Sequence, residues 1–313
     1  TGAAGFIGSH VVEALLSRGD RVVGLDNFND YYDPARKRAN VKEALSQPSY
    51  RLVEGDVRDE TLLDELFKGE RFDKICHIAA MAGVRASIEH PQLYESVNVR
   101  GTMNMLERAR RHDVGTFVFA SSSSVYGAAN PVPFREDAVV TRPISPYAAT
   151  KVAKEVLAYT YHHLYDLNCT GLRFFTVYGP RGRPDMAPYL FTQWISEGHT
   201  LRQFGDGTSR RDYTYIDDIV SGVVAALDAD LSYELINLGR GETISLSDFI
   251  ALVEQVVGRE AIIVQEPTKP GDVPITHADI TKARRLLGYD PDVPVREGME
   301  RFWGWYQEAV LKR

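Results

Sequence analysis

Cysteine is scarce in this sequence. Two of the 313 residues are cysteines, Cys76 and Cys169, and they lie far apart with no C-x-x-C motif. This usage is typical of small buried side chains in a reducing compartment. It predicts no disulfide framework. It predicts no metal site either, because His77 has no partner ligands at zinc-like spacing.

Long apolar runs are also missing. The sequence contains no run of 18 apolar residues and no recognisable signal peptide. It therefore predicts no membrane span and, by default, a cytoplasmic location. Since the chain begins inside a motif, an upstream segment could change that default.

Basic residues are not in excess. Lysine and arginine number 36 against 43 aspartates and glutamates, which gives a net charge of −7. A nucleic-acid partner is not expected, because general binders usually present a basic face. An anionic ligand would have to meet a local cluster of cations.

The first half of the chain alternates apolar β-branched runs with helical patterns. Strands are predicted at 21–26, 50–56, 72–80, 116–123 and 169–175, with amphipathic helices between them. This alternation indicates an α/β fold built on a doubly wound parallel sheet of the Rossmann type. A further strand–helix pair near 213–218 and a strand at 233–239 would extend the sheet.

Two units are expected from this organisation. Residues 1–175 and about 213–239 form a dinucleotide-binding domain. After residue 176 the texture changes to a loop rich in Gly, Pro and Arg. A smaller, discontinuous α/β lobe for the substrate is expected from about 176–212 and 240–313.

The opening segment TGAAGFIGSH carries the first functional signal. Its glycines, Gly2, Gly5 and Gly8, form a G-x-x-G-x-x-G pattern, and a helix is predicted to begin near Phe6. Such a turn lets the backbone approach a pyrophosphate, which then faces the helix N-terminus. Glycine also serves ordinary tight turns, so the motif alone is weak evidence. The usual strand before this motif is expected upstream of Thr1.

Asp26 strengthens the dinucleotide interpretation. It follows Gly8 by 18 residues, at the end of the second predicted strand. An acid there accepts hydrogen bonds from the adenosine ribose and repels a 2′-phosphate, so NAD is favoured over NADP. The alternative is that Asp26 is a cap. The other residues expected at the cofactor are Phe6, Ile7, Asn27, Asp56, Val57, Ala79 and Ala80, with Asp56 near the adenine amino group.

A tyrosine, a lysine and a run of serines carry the second signal. Tyr147 and Lys151 are four residues apart and share one helix face. A lysine ammonium beside a phenol favours phenolate, which can take a proton from a sugar hydroxyl while its carbon gives up a hydride. Ser122, at a strand end, can bond the same hydroxyl. Taken alone, Y-x-x-x-K is usually a surface pair.

The chain resembles the extended short-chain dehydrogenase/reductases, and among them the UDP-glucuronate 4-epimerases. The segments that carry the resemblance are TGAAGFIGSH, LDNFNDYYDP, AAMAGVRASIEHP, NVRGTMNMLE, SSSSVYG, RFFTVYGPRGRPDMAP, FGDGTSRRDYTYIDDI and PGDVPITHADI. It covers nearly the whole chain and implies retained NAD, a UDP-sugar substrate and inversion at C4 through a 4-keto intermediate. It also implies that Ser122 is the catalytic hydroxyl, Tyr147 the base and Lys151 its activator, with Asn98 in the cofactor site.

The serine run departs from other branches of this family. Related dehydratases carry Asp-Glu, and related UDP-glucuronate decarboxylases carry Glu, where this sequence has Ser123 and Ser124. Neutral donors suit a substrate carboxylate. We therefore expect the carboxylate to be held by Ser122, Ser123, Ser124, Thr176 and Arg183.

The nucleotide end is also assigned by resemblance. Arg211 resembles the arginine that binds the diphosphate, since a guanidinium fork matches phosphate oxygens. Phe204 and Asp272 are expected at the uridine, and Lys269 stands where some relatives have arginine. The arginines at 173, 181 and 183 could instead be solvated loop charges.

Three other functions stay open at this point. A UDP-glucose/UDP-galactose 4-epimerase would use the same chemistry, although such relatives often place Asn where Thr176 stands. A UDP-glucuronate decarboxylase is disfavoured by Ser124. An NAD-sensing regulatory protein is disfavoured because Ser122, Tyr147 and Lys151 are all present. By resemblance, a homodimer is expected through the helices at 99–112 and 148–165.

Overall fold

The computed structural model describes residues 1–268 and 273–312. Its strands follow the β-branched runs of the sequence. They are β1 Val22–Asp26, β2 Tyr50–Glu54, β3 Lys74–His77, β4 Thr116–Ser122, β5 Asn168–Phe174, β6 Thr176–Tyr178, β7 Thr200–Phe204, β8 Arg210–Arg211, β9 Tyr213–Tyr215, β10 Tyr233–Leu238, β11 Ile244–Ser245 and β12 Ile262–Glu266.

The helices occupy the amphipathic segments between these strands. They are α1 Phe6–Ser17, α2 Pro34–Asn40, α3 Glu60–Gly69, α4 Val84–Glu89, α5 Pro91–Glu95, α6 Gly101–Arg111, α7 Pro146–Tyr165, α8 Ala187–Glu197, α9 Ile216–Asp228, α10 Leu246–Val257, α11 Thr281–Leu287 and α12 Val295–Tyr306. A π-helical turn, Ser96–Arg100, leads into α6, and a short 3₁₀ helix, Ser123–Tyr126, follows β4. No helix among the described residues is long and apolar enough to cross a membrane.

Parallel pairing dominates the sheet, as the alternating pattern predicts. β3, β4, β5 and β10 pair in the order β10-β5-β4-β3, and β1 pairs with β2. Helices pack against these strands, and every residue of the central strand β4 is buried. The predicted α/β, doubly wound parallel fold is confirmed.

The first residues of the chain connect the two parts of this sheet. The Gly2 N–H donates to the Leu25 oxygen in β1, and the Ile78 N–H after β3 donates to the Thr1 oxygen. A cavity of about 350 Å³ lies between β1 and β3.

A second apolar cluster is formed mainly by the second half of the chain. Aromatic residues of α8, β9, α10 and α12 pack together there, among them Tyr189, Tyr213, Phe249 and Phe302. The rings of Tyr213 and Phe249 stack with centroids 4.2 Å apart. Two short sheets, β7–β12 and β8–β11, also lie in this half of the chain. The domain boundaries given above stay predictions.

Candidate functional site

Two adjoining cavities lie at the carboxyl ends of the parallel strands. The inner cavity, of about 360 Å³, is lined by the glycine loop, the end of β1 and the Tyr147–Lys151 pair. The outer cavity, of about 400 Å³, is lined by α8, β7 and Arg211 of β8. Both are lined by Ser123, Ser124, Thr176 and Arg183, which therefore lie where the cavities meet.

The glycine loop forms one wall of the inner cavity without side chains. Gly2 has φ +69°, and a Cβ there would lie 2.8 Å from the Ala79 nitrogen. A Cβ on Gly8 would overlap the Gly2 carbonyl oxygen. Since α1 begins at Phe6, its first N–H groups face this wall. This cradle fits a dinucleotide pyrophosphate.

Asp26 orders the loop and also reaches the inner cavity. Its carboxylate accepts hydrogen bonds from the Ala4 N–H at 3.0 Å and the Phe28 N–H at 2.9 Å. It lines the cavity together with Asn27. A carboxylate has about four lone-pair sites, so acceptor capacity is left for ribose hydroxyls.

Asp56 lies at the same end of the cavity. The Arg58 guanidinium, 2.7 Å away, lowers the pKa of Asp56 to about 2, and the Asn27 amide donates to it at 2.9 Å. The charged carboxylate accepts four hydrogen bonds in all, three from Arg58 and one from Asn27. Its neighbour Val57 lines the cavity, with Gly55.

The far wall of the inner cavity is made by the segment after β3. Ala79 and Ala80 line it, as do Phe6 and Ile7 from α1. Asn98 lies behind this wall and is fully buried. Its Oδ1 accepts from the Met81 N–H at 2.8 Å, and its Nδ2 donates to the Met81 oxygen and to Thr150 Oγ1, each at 3.0 Å. In this structure Asn98 connects the wall to α7.

The hydroxyl and amine groups come together in the inner cavity. The α7 helix begins after Ser145, which accepts from the Ala148 N–H at 3.1 Å and places Tyr147 in the first turn. Lys151 Nζ lies 5.5 Å from the centroid of the Tyr147 ring and donates to the Ala120 oxygen at 2.9 Å. Ser122, at the end of β4, lines the same cavity.

Hydrogen bonds within the serine run shape the junction of the cavities. Ser122 Oγ accepts from the Ser124 N–H at 3.2 Å and lies 3.2 Å from Ser124 Oγ. The Ser122 side chain thus caps the short helix 123–126, and Ser122, Ser123 and Ser124 lie in one tight turn.

Burial changes the titration of the lysines on α7. Desolvation lowers the pKa of Lys151, while the nearby Tyr147 and Glu155 oppose that change. Desolvation also lowers the pKa of Lys154 well below its usual value. Two buried amines thus lie on the same helix as Tyr147.

Arg183 is held at the junction by residues that the sequence did not identify. Its Nε donates to Asp185 at 3.0 Å, and Tyr31 donates to the same carboxylate at 3.1 Å. The guanidinium lies over the Tyr31 ring, 5.5 Å from its centroid. No short-range motif signals this cluster, because Tyr31 is more than 150 residues away in the chain.

The remaining arginines correct one sequence alternative. Arg173 is not a solvated loop charge: its side chain is 1% exposed and pairs with Glu155 at 2.8 Å inside the protein. Arg181 pairs with Glu13 at 2.7 Å. Both arginines therefore form an ion pair with a glutamate on a helix, Arg173 with α7 and Arg181 with α1.

The outer cavity is positively charged. Among the described residues it is lined by Arg85, Arg183, Arg202 and Arg211, against one acid, Asp185. The Arg85 guanidinium lies over the Phe204 ring, 5.3 Å from its centroid. Such a cavity suits a ligand with an aromatic base and a diphosphate. Asp272 and Lys269 lie outside the described residues.

Fold and site together define an extended short-chain dehydrogenase/reductase with a dinucleotide cavity next to an anion-binding cavity. The chain belongs to the family whose model is described as GDP-mannose 4,6 dehydratase, which matches residues 1–302.

Similar proteins give the comparison more detail. The UDP-glucuronate 4-epimerase of Thermodesulfobacterium geofontis is 44% identical over 311 residues, 99% of this chain and 96% of that protein. A crystal structure of UDP-glucuronic acid 4-epimerase from Bacillus cereus with UDP-glucuronic acid and NAD has a TM-score of 0.93 at 36% identity, covering 99% of this chain and 98% of that one. The UDP-glucose 4-epimerase of Thermotoga maritima, with UDP-glucose, has a TM-score of 0.92 at 30% identity, with coverage of 99% and 98%.

Proposed function

We propose that this protein is an NAD-dependent UDP-sugar 4-epimerase that converts UDP-glucuronate to UDP-galacturonate. The observation that carries the proposal is one junction. Tyr147, Lys151 and Ser122 line the inner cavity, and the neighbouring Ser123 and Ser124 line both it and the arginine-rich outer cavity. The named relatives support the same activity.

The cofactor site is assigned to the residues of the inner cavity. The glycine loop holds the pyrophosphate of NAD, Asp26 and Asn27 meet the adenosine ribose, and Asp56 meets the adenine. NAD held there would supply a reversible hydride acceptor for C4 of the sugar. The protein's own residues supply the proton transfers and the grip on the sugar.

Tyr147 removes the proton from the C4 hydroxyl. The Lys151 ammonium favours the phenolate, and Ser122 bonds the same hydroxyl and orients it. After the 4-keto sugar has rotated to present its opposite face, Tyr147 returns the proton. In the outer cavity, Phe204 contacts the uracil and Arg211 binds the diphosphate, with Asp272 proposed at the ribose.

The proposed role of the serines is to prevent a side reaction, the loss of CO₂ from the oxidised sugar. Oxidation at C4 of a glucuronate gives a β-keto acid, which loses CO₂ when its carboxylate C–C bond aligns with the ketone π system. Donors from Ser123, Ser124, Thr176 and Arg183 can hold the carboxylate out of that alignment. No side chain in the serine run supplies a carboxylic acid for the dehydratase step.

Replacing the junction serines tests this role. Ser123→Ala with Ser124→Ala should raise KM for UDP-glucuronate about tenfold and raise the CO₂ released per turnover. KM for UDP-glucose should change less than about twofold, because that sugar has no carboxylate. A tenfold change is about 1.4 kcal/mol, close to the loss of one hydrogen bond to a charged group. Unchanged uronate KM and unchanged CO₂ would refute the proposed grip.

The overall activity is tested by incubating the purified protein with UDP-glucuronate, with no added NAD, while NMR follows the anomeric proton and CO₂ is trapped. UDP-galacturonate without CO₂ is expected. Conversion of UDP-glucose alone would instead support a neutral-hexose epimerase, the activity named for the T. maritima neighbour. A pentose product would mean a decarboxylase. No turnover, even with added NAD, would favour a regulatory protein.

A homodimer in the cytoplasm is also proposed. Its support is an apolar surface on α6 and α7, where Val156 is 60% exposed, Tyr159 52% and Met103 40%. Such a surface is typical of a subunit contact. The free thiols of Cys76 and Cys169 are compatible with a reducing compartment.

Val156→Glu should convert the dimer to a monomer, because it places a charge in the centre of that contact. Light scattering at micromolar concentration gives the mass. Val139→Glu is the matched control, since Val139 is 72% exposed and belongs to neither α6 nor α7. A monomeric wild type, or an unchanged mass for Val156→Glu, would contradict the proposal.

A further inference from the structure

A charged cluster is buried behind the reactive groups. The Glu155 carboxylate accepts from Arg173 Nε at 2.9 Å and from Arg173 Nη2 at 2.8 Å. It also accepts from Ser121 Oγ at 2.5 Å. The Glu155 side chain is 4% exposed and that of Arg173 1%. One carboxylate thus connects β4, α7 and β5.

The cluster lies one residue from the reactive hydroxyl and one helical turn from the reactive amine. Ser121 immediately precedes Ser122 on β4, and Glu155 follows Lys151 by four residues on α7. Lys151 Nζ also donates to the Ala120 oxygen. The helix is therefore attached to two successive residues at the end of β4.

This attachment matters because the reacting groups belong to different elements. Tyr147 is carried by α7 and Ser122 by β4, so their separation depends on how the helix lies against the strand end. Proton transfer needs heavy atoms within hydrogen-bond reach. A misplacement of about 1 Å can cost about 10²-fold in rate.

We propose that Glu155, oriented by Arg173, is a positioning residue whose bond to Ser121 keeps Ser122 and Tyr147 at the separation that the reaction requires. The proposal rests on the C4 epimerisation proposed above. This role also gives a reason for having a charged pair at Glu155 and Arg173, because a buried ion pair is often no more stabilising than a well-packed apolar pair.

Ser121→Ala tests the proposal, because it removes the Ser121–Glu155 hydrogen bond and leaves the Arg173–Glu155 pair in place. We expect kcat for UDP-glucuronate to fall about tenfold, while KM stays within about twofold of wild type. The isotope effect with sugar deuterated at C4 should increase as hydride transfer becomes slower. Ser121→Thr, which keeps the hydroxyl, should recover most of kcat.

Ser221→Ala is the matched control. Ser221 Oγ donates to the Asp218 oxygen within α9, so this variant also loses one partly buried serine hydrogen bond away from both cavities. It should keep wild-type kcat and isotope effect. Thermal unfolding of all variants separates loss of folded protein from loss of rate.

The outcomes distinguish this proposal from the function on which it rests. A wild type without turnover on any UDP-sugar would overturn both. An active wild type with equal kcat and isotope effect in Ser121→Ala would overturn the positioning role alone. So would a kcat loss that only follows the folded fraction, or one that Ser121→Thr does not recover.

Discussion

Tyr147→Phe should lower kcat for the epimerisation about 10³-fold and leave the folded structure intact. The change removes one oxygen, the atom proposed to take the C4 hydroxyl proton. Loss of a positioned acid–base group typically costs about 10²–10⁴ in rate. The Lys151 contact with the Ala120 oxygen does not involve the phenol, so the local packing should persist. Turnover of UDP-glucuronate is followed by NMR, and bound NAD is measured after denaturation.

Tyr289→Phe is the matched control for this prediction. Tyr289 is 2% exposed, and its hydroxyl donates to the Gly239 oxygen at 3.0 Å, away from both cavities. It should lose some stability and keep its kcat. If Tyr147→Phe retained more than about a tenth of wild-type kcat, the phenol would not be the base.

Much of this fold could be predicted because local pattern and tertiary structure agree. The run at 116–123 becomes β4, Thr116–Ser122, and α1 begins at the predicted Phe6. The glycine loop could be recognised from the sequence because neighbouring backbone atoms leave no room for a side chain at Gly2 and Gly8. Where spacing along one element determines the chemistry, as for Tyr147 and Lys151, the sequence is sufficient.

The rest depends on contacts between distant segments, which spacing does not encode. Arg183 is held by Tyr31 through Asp185, and nothing around Tyr31 in the sequence indicates this contact. Arg173 shows the same limit, since a charged residue in a strand gives no sign of its partner on α7. The π-helical turn at 96–100 is likewise missed by a pattern based on the ordinary α-helical period.

Arg173→Met should destabilise the protein by about 3–5 kcal/mol, the usual effect of removing one partner from a buried ion pair. It leaves the Glu155 carboxylate inside the protein with Ser121 Oγ as its remaining side-chain donor among the described residues. Tyr126 also loses its contact with Arg173, but it should contribute less to the loss of stability, because its hydroxyl still donates to Asn237 Oδ1 at 2.6 Å. The free energy of unfolding is measured by denaturant titration, with the thermal midpoint as a second probe.

The double variant Glu155→Met with Arg173→Met separates charge from shape. Both charges are then gone and the volume stays similar, so stability should return to within about 1–2 kcal/mol of wild type. Recovery of stability without recovery of kcat is expected, because the attachment of Ser121 to α7 is still missing. A single variant that unfolds like wild type would show that the pair contributes little. A double variant with wild-type kcat would show that apolar packing alone can hold α7 against β4.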